Sequence, residues 1–220
     1  MVFRNYCRNP DRDNYKLCIR HASPTLAELH DILRNDWNSS ATNPLFDVGP
    51  IPQPFLDVLP PDYLNAVREF GGREGYLGTE YLRLHRLEEL AALNTAYDVP
   101  SAVPEVVIFG SDGALEAFAF TLFESAIVKI PFIPLLLENA QIVARSFSDL
   151  ISIMHSTGPS LTADPASLGM QIHSKHPIAL GGSPTDAENR VLVPPQKHAE
   201  IARYWNTVYN HARSQNAGNA

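Results

Sequence analysis

The side chains best suited to chemistry lie between positions 171 and 209, in the stretch QIHSKHPIALGGSPTDAENRVLVPPQKHAEIARYWNTVY. His173, His176 and His198 share it with Asn189. A neutral imidazole takes a proton near physiological pH and binds divalent metals, so this is where catalysis would sit. Other chemical pairs in the chain read as structure. Ser111-Asp112 lies in Gly110-Ser111-Asp112-Gly113, without the Gly-x-Ser-x-Gly elbow that exposes a nucleophile, so it reads as a turn. Glu88 and Glu89 are sequence neighbours on a helical segment; they face apart and read as a solvated surface. Cys7 and Cys18 are too few for a disulfide framework, and Cys18 with His21 lacks the further partners of a zinc site. No phosphate-cradling glycine loop occurs.

Several elements must position these groups. Gly181 to Ala187 is a turn-rich loop, Val191 to Val193 a short strand, and Pro194-Pro195 the start of a helix. On that helix Ala199, Ile201, Ala202, Trp205 and Val208 or Tyr209 form an apolar face, and Ser214 to Ala220 is expected to fray. Further back, Glu105 to Pro131 reads EVVIFGSDGALEAFAFTLFESAIVKIP: three apolar runs separated by turn residues, which predicts a three-stranded antiparallel meander. Ser23-Pro24 opens a helix carrying Leu26, Leu29, Ile32 and Leu33. Residues 38–53 read as a linker. A second helix runs from Leu59-Pro60-Pro61-Asp62-Tyr63 to Phe70-Gly71-Gly72. Tyr81, Leu82 and Leu84 suggest a strand, Leu87 to Thr95 a short helix, Ile142 to Ala144 a further strand, and Ser146 caps a helix over 147–154. Residues 1–20 are irregular. The expected fold is α+β: an antiparallel or mixed sheet of four to six strands flanked by helices, with a C-terminal hairpin-helix extension. The expected division is an arm and helix over 1–54, a core domain over 55–157 and an extension over 158–220.

Composition narrows the function. The chain has 220 residues, 45% hydrophobic and 19% charged, enough for a substantial core. Its net charge is −7, which argues against binding nucleic acid by phosphate neutralisation and permits a basic protein partner. Residues 158–220 hold five Lys/Arg and four Asp/Glu, a balance of +1, so the first 157 residues carry −8. No signal peptide or membrane-spanning stretch is visible, and a cytoplasmic, reducing location is expected. Acidic residues near loops around the sheet, Glu74, Asp98, Asp112 and Glu124, are candidate partner contacts. Tyr76, Tyr81 and Phe123 are candidate aromatic anchors, with Tyr81 better suited to the core.

The order of the segments carries a resemblance. Leu59-Pro60-x-Asp62-Tyr63, Phe70-Gly71-Gly72, the loop Gly110 to Gly113 before Ala117-Phe-Ala-Phe120, Ile130-Pro-Phe-Ile-Pro134 and Ser146-Phe147-x-x-Leu150 follow one another over about residues 55–155. This resembles the SUKH superfamily, the domain of fungal cell-wall synthesis regulators and of many bacterial toxin-immunity proteins. Two departures stand out: Thr121 where the family has an acidic residue, and a glycine run shortened to Gly113-Ala114. The resemblance implies binding without catalysis and without a cofactor: an immunity protein that blocks a cognate toxin, often a nuclease. It also leaves open a regulatory scaffold.

The C-terminal stretch carries a second resemblance. His176-Pro177 to Gly181-Gly182, then Asn189, then His198, resembles the ββα-metal (HNH) nuclease pattern. That pattern implies His176 as general base, Asn189 as its orienting residue and His198 as ligand of a divalent metal that stabilises phosphate charge. Lys175 stands where the pattern has a metal-binding Asp or His, and His173, two residues earlier, is expected on the other face of a strand. The expectation is therefore a degenerate HNH-like hairpin and helix kept as structure or as a binding surface, with an active metal-dependent nuclease as the alternative.

Overall fold

The computed structural model describes residues 4–7, 16–19, 23–122 and 126–217. In chain order the elements are β1 (Arg4–Cys7), β2 (Lys16–Ile19), α1 (Leu26–Asn35), β3 (Trp37–Ala41), α2 (Gln53–Val58), α3 (Pro61–Phe70), β4 (Arg73–Leu77), β5 (Glu80–Leu84), α4 (Leu90–Ala96), α5 (Val99–Ala102), β6 (Val106–Ser111), β7 (Glu116–Thr121), β8 (Ile127–Pro131), β9 (Gln141–Ala144), α6 (Phe147–His155), β10 (Gln171–Ser174), β11 (Arg190–Val193) and α7 (Pro195–Ala217). The fold is α+β. Strands β3 to β9 form one seven-stranded sheet in sequential order, antiparallel throughout, and β1–β2 and β10–β11 are two small antiparallel ladders.

The sheet has more strands than the four to six expected. One difference is β3, drawn from residues that read as linker: its sequence WNSSA has little strand propensity. Tertiary contacts supply what propensity does not. Trp37 is buried, and its indole N–H donates to Gly75 O at 3.2 Å. Gly75 has φ +156, and a Cβ there would strike Asn38 O, so only glycine lets β3 lie this close to β4. At the other end of the chain, α7 continues to Ala217 through part of the stretch expected to fray.

Alternation in β7 builds two cores. Phe118 and Phe120 point to one face and Ala117 and Ala119 to the other. On the phenylalanine side, Tyr63 of α3 sits 5.0–5.3 Å (ring centroids) from Phe109, Phe120 and Phe147. Asp62 ties α3 to α6 by accepting from the backbone and hydroxyl of Ser148, both at 2.9 Å. The Asp-Tyr pair that opens α3 is therefore a tie and a core anchor. Helix α1 starts at a capping box of Thr25 and Glu28. Ser23, the expected cap, instead donates to Asp149 at 2.6 Å.

On the alanine side, Arg83, Ser111, Ala117 and Ile130 are cross-strand neighbours and share a face. Small side chains leave room there for the β10–β11–α7 unit, whose Ile172 N–H bonds Gly113 O at 3.0 Å. Beyond the Leu84–Gly110 pair, β5 parts from β6. Asn94 of α4 replaces the missing strand, donating to Ile108 O and accepting from Ile108 N, both at 2.9 Å. The buried strand edge keeps its hydrogen bonds.

Candidate functional site

The C-terminal unit is docked through a buried polar network. Arg83 is 2% exposed and pairs with Glu74, 1% exposed, at 2.5 Å. Its guanidinium also donates to Gln171 Oε1 at 2.5 Å and Met170 O at 2.6 Å, while the other Glu74 oxygen accepts from Gly169 N. Gln171 in turn donates to Ala114 O. A planar guanidinium with five donors suits such a junction, where each buried charge and lone pair needs a partner.

Next to it lies an aromatic-histidine cluster. His198 of α7 accepts or donates through Nδ1 to Tyr97 OH at 2.8 Å. Its ring lies 5.0 Å from Phe132 and 5.1 Å from His173, both edge-on, and Tyr97 stacks on Phe132 at 4.4 Å. Burial pulls His198 down to about 3, helped by the charges of His173 and Arg83, so it is neutral at pH 7. Burial also lowers His173. His173 is 2% exposed, and neither ring nitrogen has a hydrogen-bond partner.

Both histidines border a cavity of about 860 Å³ between the β7–β8 end of the sheet, the segment after β8, β10 and α7. Phe132, Ile133, Leu115, Ile178 and Tyr209 give it apolar walls, and Asp112, Glu116 and Glu138 are the acidic residues on its lining. No lysine or arginine is among its lining residues. Lys129 bonds Glu116 at 2.8 Å and Asp112 at 3.6 Å, and Arg213 bonds Glu138 at 2.9 Å. Burial raises the Asp112 carboxyl, opposed by backbone N–H groups and by Lys129. Burial works against the Lys129 ammonium, but the bond to Glu116 and the charges of both carboxylates raise it on balance.

The residues singled out from sequence are dispersed. Glu74, expected at a partner's surface, is enclosed with Arg83, where a partner does not meet it. Asp112 is half-buried in the cavity wall, Tyr76 is half-buried edge-on to Tyr81 at 5.1 Å, and Asp98 is exposed beside α5 with φ +58. Glu124 and Phe123 lie outside the described residues. Glu89, read as part of a solvated face, is buried and accepts from the backbone N–H groups of Leu45, Phe46 and Arg86, while Glu88 is exposed. Burial of a carboxylate is sustained here by those three donors.

The HNH-like residues sit in the order hairpin then helix. Asn189 clamps the backbone of His176, accepting from its N–H at 2.8 Å and donating to its C=O at 3.0 Å. The neighbouring Gly182 allows this turn, since a Cβ would strike His176 O. His176 itself is exposed, with Trp205 as ring neighbour at 6.2 Å, whereas His198 faces inward. No three His, Cys, Asp or Glu side chains form a metal-binding group among the described residues. With Lys175 exposed beside His176 and His198 bonded to Tyr97, the residues present do not fit the divalent metal of that pattern.

Arg83 was not legible as part of a site. Its partners Glu74 and Gln171 lie nine and 88 positions away in the chain. His198 had a signal: it lies four residues before Ala202, on the inward stripe of α7. No family model and no curated protein matches the chain.

Proposed function

We propose that this chain is a non-catalytic immunity protein of SUKH type, which binds a cognate bacterial toxin and blocks it. The ordered motif set over residues 55–155 motivates the reading, and the packing of the motif residues Asp62 and Tyr63 into the core agrees with it. The observation that carries the absence of catalysis is the Tyr97–His198 hydrogen bond: the one HNH-like ligand on α7 is spent on fastening that helix to the sheet. The −8 balance of the first 157 residues suits a partner with a basic surface, such as a nuclease, because complementary charge speeds and steers association. Capture of the toxin encoded beside its gene tests the proposal. Tagged full-length protein should retain that toxin through a wash at 150 mM salt; a toxin recovered only in the flow-through would contradict it.

A further inference from the structure

The cavity between the sheet, β10 and α7 keeps two free polar atoms in a largely apolar wall. His198 and Ser174 both line it, at 1% and 7% exposure. His198 spends Nδ1 on Tyr97, and among the described residues no group bonds its Nε2 or the Ser174 hydroxyl. Neither atom is sealed in, unlike the two ring nitrogens of His173, so both open onto the cavity. The acidic residues of the lining have their charge met elsewhere. Asp112 and Glu116 bond Lys129, whose ammonium lies over Phe118 on the far face of the sheet, and Glu138 bonds Arg213. The rest of the wall includes Leu115, Ile133, Ile178 and Tyr209. An anion would meet no lysine or arginine on this lining, and a cation would find its carboxylates already paired. A neutral ligand is what remains. The Tyr97 hydroxyl gives or takes the Nδ1 proton, so Nε2 serves as acceptor or as donor, and serine does both. A ligand hydroxyl matches either arrangement. At about 860 Å³ the space has the size of a small-molecule site.

We infer that this cavity binds a small uncharged molecule with an apolar body and a hydroxyl head, the head bonding His198 Nε2 and Ser174 Oγ and the body lying against Leu115, Ile133 and Ile178. The site goes beyond the proposed immunity function and does not depend on it.

Three probes of one shape test head and charge separately. Full-length ¹⁵N-labelled protein is titrated at pH 7 with 2-naphthol, with naphthalene, which lacks the hydroxyl, and with 2-naphthoate, which carries a charge. Saturable amide shifts around Ile172, Ser174 and Ile178 are expected with 2-naphthol. The Nε2 resonance of His198 should move while the ring nitrogens of His173 stay in place. Naphthalene should bind about five- to ten-fold more weakly, as for one lost neutral hydrogen bond, and 2-naphthoate more weakly still. Ser174→Ala should weaken 2-naphthol by about the same factor and leave naphthalene unchanged. Ile178→Glu, at an exposed position, should weaken both neutral probes, whereas Glu200→Gln on the exposed side of α7 leaves them unchanged. Retained dispersion of the amide spectrum identifies the variants that fold. No saturable binding of 2-naphthol, equal binding of naphthalene, shifts away from the cavity, or affinity untouched by Ser174→Ala and Ile178→Glu would overturn the inference. Toxin capture tests the immunity reading separately. Binding of 2-naphthol without toxin capture keeps the site and removes that reading; capture without 2-naphthol binding does the reverse.

Discussion

Glu74 and Arg83 were assigned from sequence to a surface and to no role, and they are the most enclosed charges in the sheet. Pairing explains why the charges persist at 1–2% exposure. Removing one partner strands the other, at a cost of about 3–5 kcal/mol, whereas replacing both with apolar groups costs far less. Glu74→Gln should therefore lower the unfolding free energy by about 3–5 kcal/mol in urea titrations, and Glu74→Leu with Arg83→Met should recover part of that loss. Two histidines set the acid limit. Burial brings His85 and His198 to about 3 from 6.5, with nearby charges adding to the effect. Their folded pKa values are depressed, so their stability is complete above pH 6.5 and is lost as pH falls toward 3. Between those limits the unfolded chain binds the extra protons. At pH 5 each should cost about 2 kcal/mol. Urea midpoints measured from pH 7 to pH 5 should fall accordingly, and His198→Gln should remove about one proton from the slope.

At the level of elements, much was legible. The meander, the helix from Pro61 to Phe70, the strand ending at Ala144 and the Ser146 cap follow from turn chemistry and apolar period, which are local signals. That the Ala-Phe-Ala-Phe strand is covered on both faces, its alanine face by the C-terminal unit, is seen only in the structure. What escaped detection was non-local. Strand β3 exists because Trp37 and Gly75 meet, and Glu89 is buried because residues 45 and 46 turn their N–H groups toward it. Asn94 belongs to the same class: a polar residue in a short helix that completes a strand edge fourteen positions away. Asn94→Ala should leave two buried backbone groups unpaired and destabilise the fold by about 2–4 kcal/mol. Amide exchange should show the loss at Ile108 first. Exchange at Ile108 no faster than in wild type would mean that another group closes this edge.

For the molecule as a whole, the C-terminal unit is part of the packed body. Tyr97–His198, Arg83–Gln171 and the Asn206 side chain, which accepts from Leu135 N and donates to Phe132 O, all join it to the sheet. Among the described residues no helix is long and apolar enough to cross a membrane. The acidic front and near-neutral C-terminal portion, visible in sequence, meet in the structure at a cavity between the sheet, β10 and α7. Function was less legible than fold, because the HNH-like spacing survives in a segment whose ligand histidine has turned inward to hold a helix. The central claim is neutralisation without chemistry. Its most direct measurement is the growth of cells expressing the neighbouring toxin, with and without this protein. The account predicts full rescue by wild type and equal rescue by His176→Ala. Death of the cells in the presence of wild-type protein, or rescue that disappears with His176→Ala, would contradict it.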